Sequence, residues 1–168
     1  MMFRVSLYFI LCLGLLSCGN DKKAVMKAVK ENNLIQEKQM NGFAVKLQYM
    51  PPVPAGGEDN SLLYFRLNVT SADGTPLKRT DDSRFSYGVD SLFFFVNVTD
   101  TLAPLDVTRV ANGALGGFEY MLVFERPQVW SQVNCKLLFR DHLFTNQLMQ
   151  FPLNGNAILH IDSLSLKI

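Results

Sequence analysis

Cysteine, histidine and tryptophan are scarce in this chain: three, two and one in 168 residues. Cys12, Cys18 and Cys135 lie too far apart for a zinc knuckle or a Cys-x-x-Cys redox pair. His142 and His160 are the only imidazoles. The chain contains no Gly-x-Ser-x-Gly elbow, no His-Glu-x-x-His helix and no phosphate-cradling glycine loop. Charge of one sign is missing too. Sixteen basic residues face fifteen acidic ones, a net charge of +1. That balance gives no electrostatic case for nucleic acid, which demands a basic footprint. The longest apolar run, Val5–Leu16, covers about 18 Å as a helix, whereas a bilayer core is about 30 Å thick.

That run follows a single positive charge, Arg4, and ends in Leu15-Leu16-Ser17-Cys18. A charged start, a short apolar stretch and a small residue before the cut describe a cleaved signal rather than a retained span. The tetrapeptide resembles the lipobox of bacterial lipoproteins. The resemblance implies that Cys18 takes a diacylglyceryl group, with palmitate among the acyl chains, and becomes the mature N-terminus. Leu15 and Ser17 fit it well, and Leu16 is larger than the usual residue there. It further implies a place in the bacterial cell envelope, at the outer membrane rather than the inner one, with the membrane reached through the N-terminal lipid. Residues 1–17 are then signal peptide, residues 18–33 a polar, lipid-anchored tether with one or two weak helical turns, and residues 34–168 the folded domain.

From Leu34 the apolar period becomes two, the mark of half-buried strands. Strands are expected over Leu34–Met40, Phe43–Met50, Ser61–Thr70, Ser91–Thr99, Leu105–Ala111, Phe118–Glu125, Gln132–Arg140, Leu143–Leu153 and Ala157–Lys167. Asn41-Gly42 and Asn154-Gly155 both read as hairpin turns. The Phe93-Phe94-Phe95 run predicts an internal strand with both faces covered. Eight or nine strands with no long helix to cover them need a second sheet. The fold class is therefore all-β, an antiparallel β-sandwich with the immunoglobulin-like arrangement as one form of it. A β-barrel is the alternative.

Candidate chemistry is thin. Cys135 alternates onto an apolar face and reads as packing. Asp141-His142 would point to opposite faces of a strand, whereas His160 and Asp162 would share one. Glu58-Asp59 and Asp81-Asp82 lack the spacing of a calcium loop. No catalytic set, metal site or cofactor is assigned, and the protein is expected not to be an enzyme. Trp130, Phe85 and Tyr87 fall outside the strand alternation and are the candidate binding aromatics, for a protein anchor or a sugar-stacking platform. Asp90-Ser91-Leu92, Asp100-Thr101-Leu102 and Asp162-Ser163-Leu164 share the pattern Asp, hydroxyl, aliphatic. They resemble the O-glycosylation tripeptide of Bacteroidota-type envelope proteins, which implies Ser91, Thr101 and Ser163 as acceptors. Asn68-Val69-Thr70 and Asn97-Val98-Thr99 match N-glycosylation sequons, silent in a host without that pathway. The expected role is a lipid-anchored, non-enzymatic binding or assembly module for another envelope protein. A carbohydrate-binding surface lipoprotein is the alternative.

Overall fold

A computed structural model describes residues 18–52, 61–77, 83–98, 100–111, 117–127 and 135–166. Residues 1–17 and Trp130 lie outside them. Two antiparallel sheets pack face to face, and no barrel closes. The first sheet has the order β1-β2-β3-β7-β6, with β1 Ile35–Met40, β2 Phe43–Met50, β3 Leu62–Ser71, β6 Asp106–Arg109 and β7 Gly117–Glu125. The second has the order β5-β4-β8-β9, with β4 Phe93–Val96, β5 Thr101–Leu102, β8 Cys135–Asp141 and β9 Gln147–Leu153. Setting β1 aside, β2-β3-β7-β6 opposite β5-β4-β8-β9 is the A-B-E-D and C′-C-F-G order of immunoglobulin-like sandwiches.

Alternation within the strands builds the core. Val45, Leu47 and Tyr49 of β2 face inward with Leu63, Phe65, Leu67 and Val69 of β3. Phe93 and Phe95 of β4 and Leu137 and Phe139 of β8 meet them from the other sheet. Phe65 lies within aromatic contact of Tyr49, Phe95 and Phe124. These rings occupy the middle of a sandwich whose β3 carries no cysteine to pair with Cys135. The β1–β2 turn is the one expected: Asn41 and Gly42 both take positive φ, at 50° and 82°. At Gly117 a Cβ would sit 2.5 Å from the Val69 carbonyl oxygen, so β3 and β7 can pair there only around a glycine.

Four expectations need correction. Ala157–Lys167 is not a strand: Gly155–Ser165 is a helix, α2. (The N-terminal helix, Cys18–Glu31, is α1.) Asn154 is the N-cap of α2, its side-chain oxygen accepting from Ala157 N at 3.2 Å. Alternating apolar residues made the segment resemble a strand, but Ala157, Ile158, Ile161, Asp162 and Ser165 are the buried set, and their spacing is helical. Second, residues 18–31 form 14 residues of continuous helix rather than loose turns. Val25 and Val29 are buried, each contributing roughly 1.5–3 kcal/mol of apolar burial. Asn33, at φ 56°, ends the helix with Leu34 N donating to Val29 O. Third, the strand expected over Ser91–Thr99 is shorter. Val89–Leu92 is a 3-10 turn, and β4, internal between β5 and β8, begins at Phe93. Fourth, only Phe93 and Phe95 of the triplet enter the core. Phe94 is half-buried on the outer face, under the Arg140 guanidinium at 5.4 Å.

Strand polarity gives the sandwich two distinct ends. At one, β2 finishes, β3 starts, β7 finishes and β9 runs into α2. Both helices lie here, packed against each other. The opposite end carries the β1–β2 and β8–β9 turns and the connection from β3 to β4.

Candidate functional site

At the helix-bearing end a buried polar cluster sits beneath α2. Asp162 accepts from the Tyr49 phenol at 2.6 Å and from Arg126 Nη2 at 2.7 Å. Arg126 also reaches the Leu62 carbonyl at 3.4 Å, and Ser165 Oγ donates to Pro52 O at 2.5 Å. The cluster ties α2 to the ends of β2, β3 and β7. Burial first, and then the adjacent Asp162 carboxylate, hold the Tyr49 phenol well above its ordinary range. Beside the cluster, Leu159, Ser163 and Leu166 line an open cleft of about 300 Å³ with Arg126 and Asp162.

The opposite end is aromatic. Phe85 stacks on Phe118 with ring centroids 4.6 Å apart, and Phe144 closes on both. Arg109 lies over Phe118 at 4.7 Å, and the Tyr120 hydroxyl donates to Phe85 O at 3.1 Å. Burial pushes the Tyr120 phenol up to about 12. Asp141, fully buried, organises the β8–β9 turn. Its carboxylate accepts from the backbone N–H groups of Leu143, Phe144 and Thr145 and from the Thr145 hydroxyl. Asn41 Nδ2 then donates to Thr145 O and joins the turns of the two sheets.

The sequence-nominated residues fall into place unequally. Phe85 is buried in the aromatic stack, so it offers no face to a ligand, contrary to its expected role. Tyr87, two residues on, is 79% exposed. Cys18 opens α1. Ser91, Thr101 and Ser163 are exposed, and the Ser91 hydroxyl donates to Gly88 O. Asp162, inside one of the three tripeptides, is committed to Arg126 and Tyr49. His160 and Asp162 do not share a face: on α2 the imidazole is exposed and the carboxylate buried. His142 is exposed near Asn146. Cys135 is buried, its thiol donating to Leu153 O, and burial pushes it up to about 11. Glu58-Asp59 and Asp81-Asp82 lie outside the described residues. Among the described residues no three His, Cys, Asp or Glu side chains gather as a metal site, and no helix is long and apolar enough to cross a membrane.

Sequence reasoning missed Arg126 and Tyr49 as partners of Asp162. The three come from β2, the residue after β7 and α2, and no local motif links them. Asp141 carried a signal, since Asp just ahead of a short polar turn commonly captures the next backbone N–H groups. Comparison with protein-family models, curated proteins and solved structures finds no match.

Proposed function

We propose that this protein is a lipid-anchored binding module of the bacterial envelope, holding an immunoglobulin-like sandwich at a membrane and presenting the aromatic end to another envelope protein. The observation that carries it is Leu15-Leu16-Ser17-Cys18 placed directly before a packed helix that leads into the sandwich. Cys18 supplies the anchor, and the β scaffold supplies rigidity. The carboxylates best placed for chemistry, Asp141 and Asp162, are occupied in holding turns and helices. That occupation supports binding rather than turnover.

The contact surface in this reading centres on Tyr87 and the β8–β9 turn. By strand order these match the B–C and F–G connections, the end that immunoglobulin variable domains use for recognition; the likeness is one of fold alone. Tyr87 is large, amphipathic and exposed, the kind of residue that anchors interfaces. The sugar-binding alternative called for two exposed aromatics in one groove, and the burial of Phe85 leaves Tyr87 without that neighbour. The test is photocrosslinking in native membranes from a probe at Tyr87. One discrete protein adduct, lost when the probe moves to the sheet-face position Lys46, supports the proposal. Hydrolysis by the purified protein that disappears on His142 or His160 substitution would overturn it.

A further inference from the structure

We infer that the helix-bearing end of the sandwich lies against the bilayer, with α1 and α2 as interfacial helices on an anionic phospholipid surface. This rests on the lipid-anchor reading of Cys18. The first support is reach. Val25, the first described side chain buried against the domain, lies only seven residue steps after Cys18, and as α1 they span about 10 Å. Even pulled out straight they span roughly 23 Å. A ten-residue strand such as β3 is about 33 Å long. The anchor therefore holds the helix-bearing end at the headgroups, and the aromatic end stands a strand-length away.

The second support is the distribution of exposed apolar side chains. Among the described residues seven large hydrophobics are exposed: Met26, Tyr87, Val98, Leu105, Leu148, Leu159 and Leu166. Five belong to the helix-bearing end. Met26 is on α1, Leu159 is on α2 and Leu166 is its C-cap. Val98 follows the end of β4 that pairs near the start of β8, and Leu105 donates its N–H to Val123 O near the end of β7. Apolar exposure gathered at one end marks a contact face.

Charge supplies the third. Lys22, Met26 and Lys30 are spaced by four and form one row on α1, with Lys23 and Lys27 beside it, all exposed. Of these, Lys27 meets Glu31 at 3.6 Å on the surface. A methionine flanked by lysines is the pattern of a helix lying in the headgroup layer, its lysines drawn to anionic lipid. On α2 and its C-cap, Leu159, Ser163 and Leu166 form the corresponding outward row.

Site-directed spin labelling tests the inference. The intact lipidated protein, as Met26→Cys, Leu159→Cys or Tyr87→Cys, is reconstituted into phosphatidylcholine–phosphatidylglycerol vesicles. Each carries a nitroxide. Cys135 is buried and resists the label. Met26, Leu159 and Tyr87 are all exposed, so the replacements leave the core intact, and an unchanged melting temperature checks this. The ratio of collision with oxygen to collision with a water-soluble nickel complex is expected to be several-fold higher at 26 and 159 than at 87. Equal, water-like ratios at all three positions, with acylated Cys18 verified by mass spectrometry, would overturn the inference and leave the anchor standing. Absence of acyl chains on Cys18 would overturn both.

Discussion

The two ends of this sandwich solve one problem in opposite ways. Each must close the gap between two sheets and satisfy the backbone groups left where strands stop. The helix-bearing end uses two short amphipathic helices held by a buried ion pair, Arg126–Asp162, with Tyr49 on the same carboxylate. The other end uses four packed rings, Phe43, Phe85, Phe118 and Phe144, over a turn in which Asp141 draws its partners from its own backbone. The first closure joins elements far apart in sequence. The second combines long-range ring packing with one local device, the turn around Asp141. The first also leaves its outer surface apolar and basic, whereas at the second Tyr87 is the exposed aromatic among the described residues.

The largest effects should come from removing the central group at each end. Asp162→Ala takes the carboxylate from a mostly buried Arg126 and from Tyr49, and the expected loss is about 3 kcal/mol in chemical denaturation. Phe85→Ala should cost about 3–5 kcal/mol by opening a cavity between Phe118 and Phe144. If the ends are closed by independent devices, the double variant should be additive within about 0.5 kcal/mol. Strong coupling would break the comparison.

A smaller effect tests the local device. Asp141→Asn keeps the shape but turns an acceptor oxygen into an NH₂ facing backbone donors. The expected cost is about 1–3 kcal/mol, the penalty for unmet buried polar groups. Tyr49→Phe removes one hydrogen bond at the other end, and its cost should be near 1.5 kcal/mol, the low end for a charged acceptor, because Arg126 still satisfies the Asp162 carboxylate. A larger loss for Tyr49→Phe than for Asp141→Asn in urea midpoints would show that the turn carries less than its hydrogen bonds suggest.

Alkaline titration sharpens the comparison in a third way. Cys135 sits near the helix-bearing end, where β8 begins, with its thiol raised from 9.0 to about 11. A raised thiol pKa means that the unfolded chain loses its proton first. The stabilising contribution is complete below pH 9 and declines as pH rises through 11. Cys135→Ala should flatten the fall in melting temperature across that window. An unchanged slope would assign the fall to the tyrosines instead.

The sequence made the sheets legible and the helix-bearing end illegible, for one physical reason. Strand alternation is a property of neighbours, so Val45, Leu47 and Tyr49, or Phe118, Tyr120, Leu122 and Phe124, declare their inward faces locally. In α2 and its C-cap the residues Ile158, His160, Asp162, Leu164 and Leu166 satisfy a period of two while Ile158, Ile161, Asp162 and Ser165 satisfy a helix. Asn154-Gly155 fits a turn or a cap equally well. The partners that hold the helix, Arg126 and Tyr49 among them, are not sequence neighbours of α2. The same gap hid Phe85: in its polar, charged surroundings it looked free, because its stacking partners Phe118 and Phe144 come from β7 and the β8–β9 turn.

The smallest expected change in stability is at Tyr87, and its value lies in being small. Phe85 and Tyr87 are two residues apart at the same end of the fold, one 7% and the other 79% exposed. Tyr87 makes none of the ring contacts that hold the aromatic end, so Tyr87→Ala should move stability by no more than about 0.5 kcal/mol. If the proposed partner uses it as an anchor, the same change should weaken association by about 2 kcal/mol or more. Titration calorimetry with the crosslinked partner, once it is isolated, measures the second number, and a melting curve measures the first. A stability loss near that of Phe85→Ala would make Tyr87 part of the closure. Unchanged affinity with unchanged stability would move the binding surface away from Tyr87.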